Sequence, residues 1–154
     1  MTSARIETDE LLGHILPHKL YTPEADSSVF RDFLANSGDC VTSDLTLLEF
    51  WATVRRKESD GVLAEGQSEE VFKALQADVE QALIRMIPSD ISVREEFHSI
   101  IERCYSRIPA ICIRTNDALH LAAARCAGEM EIIATDKRLR ETAGFLGFTI
   151  FPVS

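Results

Sequence analysis

A lone carboxylate in an apolar helix costs several kcal/mol unless it is paired, protonated or bound to a metal. Glu49 is in that position. It is the one charged residue in Leu45, Thr46, Leu47, Leu48, Glu49, Phe50, Trp51, Ala52, Thr53 and Val54, a segment that reads as a helix apolar nearly all round and therefore largely buried. Asp117 and Asp136 each stand where a predicted helix begins. Acids on three separate elements point to hydrolysis around a divalent cation, because hard cations prefer carboxylate oxygens. Each acid also has a simpler explanation. Asp117 and Asp136 can serve as helix caps, each worth about 0.5–2 kcal/mol. Glu49 has no capping duty, and its simpler explanation is an ion pair with a distant Arg114 or Arg125.

Around these acids stand two supporting candidates. Thr135 precedes Asp136, where its hydroxyl can orient a carboxylate or a water, although strand preference alone explains a threonine there. Asn116 can hold Asp117 or contact phosphate, or simply cap its loop. His120 lies three residues after Asp117, on the same helix face, and reads first as a histidine hydrogen-bonded within the core. His14, His18 and His98 have no ligand spacing, and Trp51 and the phenylalanines read as core. The chain has no Walker loop, no G-x-G-x-x-G and no nucleophile elbow.

The formal net charge of -9 disfavours nucleic-acid binding driven by bulk charge, while leaving local basic groups: Arg55 to Lys57, Arg103 with Arg107, and Lys137, Arg138 and Arg140. No apolar run approaches the ~20 residues of a membrane span. The polar, acid-bearing start is not expected to be a signal peptide. Four scattered cysteines without a C-x-x-C pair fit buried thiols in a reducing cytosol rather than a zinc or redox motif. The 154 residues, 45% hydrophobic, fit one domain with one sizeable core.

The elements needed to position the acids alternate between helix and short apolar strand. Helices are expected over 26–35, 45–57, 68–83, 92–106, 118–127 and 137–145, with Ser43 or Asp44 capping the second and Ser68 the third. Strands are expected over 39–42, 84–87, 131–135 and 148–151. Such alternation argues for an α/β fold with a mainly parallel sheet covered on both faces. Sites in these folds form at the carboxyl ends of strands, where helices begin, and Glu49, Asp117 and Asp136 all fall near such ends.

At these residues the chain resembles the PIN-domain family, most of all the VapC-type toxins of bacterial toxin–antitoxin systems. Residues Thr42 to Phe50 resemble the segment that holds the family's second acid, with Glu49 at that position. Arg114, Thr115, Asn116, Asp117, Ala118, Leu119, His120 and Leu121 to Ala124 are close to its D-A-L-H-L-A-A-A motif. Ile133 to Leu139 resembles its T-x-D-x-x-L motif, with Asp136 as the acid. Lys19, Leu20, Tyr21, Thr22, Pro23 and Glu24 match a further family segment, so the resemblance runs from about Lys19 to the C-terminus. It implies a three-layer α/β/α fold with a central, mainly parallel sheet of about five strands. A single PIN-like domain is then expected over 1–154, with 1–18 an atypical N-terminal segment.

The same resemblance implies a cytoplasmic ribonuclease using Mg²⁺ or Mn²⁺, a cognate antitoxin partner and a homodimer. Glu49, Asp117 and Asp136 would be its metal ligands. Crowded carboxylates are expected to raise one another's pKa without metal, so that binding rises with pH. The front departs from the family pattern. Met1 stands where the first acid is expected before Thr2, Ser3 and Ala4, and Asp9, the candidate fourth ligand, lies about four residues too far from Lys19 and lacks a following serine. An altered first motif, a start placed too far downstream and a catalytically degenerate module acting through an antitoxin or dimerisation all fit that departure.

Overall fold

The computed structural model describes residues 40–153, together with Ser28, Asp32, Ala35 and Asn36, which are helical. Asp9 and the side chains expected to point inward from the helix at 26–35 (Val29, Phe33 and Leu34) lie outside the described residues.

Strand β1 (Cys40–Ser43) is buried along its whole length and leads into helix α1 (Leu45–Ser59). Helix α2 (Gln67–Glu80) then returns to strand β2 (Ile84–Ile87), which pairs in parallel with β1, Cys40 opposite Ile84 and Ser43 opposite Ile87. Helices α3 (Ile91–Ser106) and α4 (Thr115–Cys126) follow. Strand β3 (Glu131–Ile133), helix α5 (Lys137–Phe145) and strand β4 (Thr149–Phe151) complete the described chain, β4 lying parallel to β3. Both strand pairings among the described residues are parallel, as the helix–strand alternation leads one to expect. Among the described residues the strands form two parallel pairs.

Neighbouring residues of a strand point to opposite faces, and β3 shows what each face meets. Ile132 packs with Ile100, Leu121, Ala122 and Leu139, whereas Ile133 packs with Phe50, Val54 and Leu75. Apolar layers therefore cover both sides of the strand, which is the α/β/α arrangement. Helix α4 can come close because its inward residues are small: Ala118, Ala122, Ala123 and Ala124 are all buried. It packs against α3 and β1.

Several local expectations are corrected. Helix α1 is not buried all round. Thr46, Phe50 and Val54 face inward, but Leu48 is 69% exposed, and Trp51 is a partly exposed side chain against Phe72 and Arg55 rather than core. Asp44 occupies the N-cap of α1 without a side-chain cap bond. Its carboxylate instead accepts from the backbone N–H of Ser89 at 3.0 Å and from the Ser89 hydroxyl at 2.6 Å, joining the start of α1 to the end of β2. The cap of α2 is Gly66, at φ 81°, a left-handed conformation that suits glycine. Ser68 sits one residue inside that helix, buried, accepting from Arg55 at 3.2 Å while its N–H donates to Glu58 at 2.8 Å. Of the thiols, Cys40 and Cys104 are buried, but Cys112 and Cys126 are exposed.

Candidate active site

One cleft, about 630 Å³ in volume, gathers the three acids: Glu49 from α1, Asp117 from the first turn of α4, and Asp136 at the N-cap of α5. Asn116 and Thr135 also line it. The α1 contribution follows helical geometry. Thr46, Glu49, Thr53 and Arg56 are spaced by three or four residues and so share one face.

Glu49 is held from α4. Its Oε1 accepts from the Asn116 amide at 2.9 Å, and its Oε2 lies 2.7 Å from Nε2 of His120. The other ring nitrogen of His120, Nδ1, is 2.8 Å from the hydroxyl of Ser43. Both Ser43 and His120 are buried. An ionised carboxylate only accepts, so Nε2 carries the proton that faces Glu49. Burial pushes the Glu49 carboxyl up, but the hydrogen bond and charge of His120, with Asn116 and Arg114, outweigh it and hold the pKa below 4.5. The expectation that crowding raises the carboxylates is therefore reversed at Glu49, because its neighbours are donors and cations rather than other acids. Its distant partner also differs from the arginine pair expected: histidine and asparagine make the direct bonds.

Asp117 does not cap α4; Arg114 occupies that N-cap position. The Asp117 carboxylate accepts from Nε of Arg114 at 2.6 Å, a bond between residues three apart in sequence. Nη2 of the same guanidinium lies 3.3 Å from Oδ1 of Asp136. Asp136 does cap its helix, accepting from the Leu139 N–H at 2.9 Å. Side-chain exposure falls from 55% at Arg114 and 45% at Asp136 to 35% at Glu49 and 12% at Asp117. The sequence reading missed Arg114 as the bridge between two acids. Its spacing of three from Asp117 was visible, but its approach to Asp136 depends on the fold.

Arg140, read from the sequence only as one of a local basic group, has a second role that was missed. It donates to the carbonyls of Ala134 at 2.7 Å and Pro152 at 2.7 Å, tying the ends of β3 and β4 beside Asp136.

Matching of the sequence against family profiles adds the deciding observation: the PIN domain profile covers residues 17–145. The chain belongs to the PIN domain family. A solved structure of FitAcB from Neisseria gonorrhoeae is similar to this PIN chain, with a TM-score of 0.56 and 18% identity over 92% of this chain and 94% of that one. At that identity the likeness carries the fold. Comparison with curated proteins gives no significant match. No described helix of this PIN chain is long and apolar enough to cross a membrane.

The donor chemistry of the cleft fits a hard divalent cation, since Glu49, Asp117 and Asp136 all present carboxylate oxygens to it. In the arrangement described, however, no three His, Cys, Asp or Glu groups among the described residues are drawn together closely enough to hold one. Positive charge between Asp117 and Asp136 comes from Arg114.

Proposed function

We propose that this PIN domain is a VapC-like, metal-dependent ribonuclease that hydrolyses RNA phosphodiester bonds with water as the nucleophile. The observation that carries the reading is the convergence of Glu49, Asp117 and Asp136, from three elements, on one cleft in a chain of this family. These three would hold Mg²⁺ or Mn²⁺, with Asp9 as a proposed fourth ligand. When bound, the cation activates water and offsets charge on the phosphate. The chain's own residues orient the acids. His120 and Asn116 fix both oxygens of Glu49, and the α5 N-terminus fixes Asp136. Arg56 and Arg114 bring positive charge to the cleft wall for the phosphate backbone. A cytoplasmic location, a homodimer and a cognate antitoxin belong to the same proposal, as does a single domain spanning 1–154.

A second reading has its own observation. Two of the acids, Asp117 and Asp136, are paired with Arg114, and no three-ligand cluster forms among the described residues, which suits a PIN-like module that binds an antitoxin or dimerises without cleaving.

The test is cleavage of a mixed panel of linear and structured RNAs with Mg²⁺ or Mn²⁺ and with EDTA, for the wild type, Asp117→Asn and Asp136→Asn. Metal-dependent cleavage lost in both variants is expected. A folded wild type that cleaves no RNA would move the assignment to the second reading.

A further inference from the structure

We infer, resting on the metal-dependent reading above, that Arg114 is an internal cation that competes with the divalent ion for Asp117 and Asp136, and so sets the metal affinity of the cleft.

The geometry assigns this role to one side chain. The guanidinium reaches two carboxylates from different elements at once, Nε at 2.6 Å from Asp117 and Nη2 at 3.3 Å from Asp136. A planar guanidinium can do this because its donors form a rigid fork, whereas an ammonium is a point charge. Asp117 is the most buried of the three acids, so its charge needs a close counter-charge, and Arg114 supplies it. Arg114 itself lines the cleft and is about half exposed, and it stands at the N-cap of α4 in an extended backbone conformation, outside the helical turn. Its side chain therefore has solvent to move into.

A divalent cation that draws on both carboxylates meets the guanidinium as a like charge at close range, where repulsion is strong. The two cannot be accommodated independently. Without metal, Arg114 keeps the acids from repelling one another, and the price is weaker metal binding.

The test is calorimetric titration of Mn²⁺ into the wild type, Arg114→Gln, Arg114→Lys and Asp117→Asn, with thermal unfolding of each protein with and without Mn²⁺. Arg114→Gln is expected to bind Mn²⁺ about fivefold more tightly than the wild type, the scale set by removing partly exposed ion pairs. It is also expected to unfold at a lower temperature without metal and to gain more from Mn²⁺ than the wild type does. Arg114→Lys, which keeps the charge but not the fork, should lie between the two, and it carries the test should the glutamine variant fail to fold. Asp117→Asn should lose most of the binding.

Arginine variants that fold and bind Mn²⁺ no more tightly than the wild type, while the wild type itself binds, would overturn the competition alone. A lower unfolding temperature with unchanged metal affinity would assign Arg114 a structural role only. Absence of binding in every protein would overturn the metal reading, and the competition with it.

Discussion

Glu49 depends on its neighbours for its charge. Burial alone would raise its pKa, yet His120, Asn116 and Arg114 bring it below 4.5. A carboxyl with a depressed folded pKa adds stability that is present above the unfolded value and is lost as pH falls through the folded one. The stability advantage of the wild type over Glu49→Gln, followed by urea denaturation, should therefore hold at neutral pH and shrink once pH drops beneath 4.5. A difference that stays constant across that range would show that the pairing with His120 gives Glu49 no net preference for the charged form. His120 is a positioning residue in this arrangement, buried between Ser43 and Glu49. His120→Ala should cost about 1–3 kcal/mol in urea denaturation, because it leaves buried polar partners unsatisfied. A loss within about 0.5 kcal/mol, the scale of an ordinary surface substitution, would contradict that role.

At the scale of elements, the acids are aimed by ties that join the ends of strands to the starts of helices. Asp44 bonds to Ser89 across β1 and β2, and Arg140 bonds to the carbonyls of Ala134 and Pro152 across β3 and β4. Arg140→Ala removes two charged hydrogen bonds and should destabilise the protein by about 1.5–3 kcal/mol, against less than about 0.5 kcal/mol for the exposed Arg94→Ala. Equal effects of the two substitutions in a chemical denaturation series would refute the tie.

How far such elements were legible depended on how local their causes are. Strands β1 to β4 and helices α1 to α5 declare themselves through short apolar runs and helical spacing, with boundaries that match at β2 and α5 and differ by at most three residues elsewhere. Asp136 capping α5 is readable because its partner, Leu139, is three residues away. The contacts of Glu49 with Asn116 and His120 span 67 and 71 residues, and that of Ser43 with His120 spans 77, so no window of sequence contains them. The misread caps at Asp44 and Ser68 fail for the same reason: a polar side chain near a helix start was taken by a distant partner before it could serve its own helix. For helix α1, composition overstated burial, because three of its seven apolar residues, Leu48, Trp51 and Ala52, are exposed.

Taken whole, on the ribonuclease reading proposed above, the molecule has to bring an RNA backbone to a chain whose net charge is -9. Long-range attraction cannot do this, so binding has to come from cations close to the cleft, where separation is short compared with a Debye length of about 8 Å. Arg56 meets that condition. It stands on the same face of α1 as Glu49, is exposed, and lines the cleft with Arg114. Arg94, on α3, does not line it. A side chain that neutralises one phosphate of a single strand contributes about 0.7 to the slope of log affinity against log salt. Arg56→Ala, in an Asp136→Asn background that prevents turnover, should weaken RNA binding measured by fluorescence anisotropy and flatten that slope by about 0.7, while Arg94→Ala leaves both unchanged. Equal losses from the two variants would mean that RNA senses only overall charge, and the cleft would then lose its claim to be the place where the backbone lies.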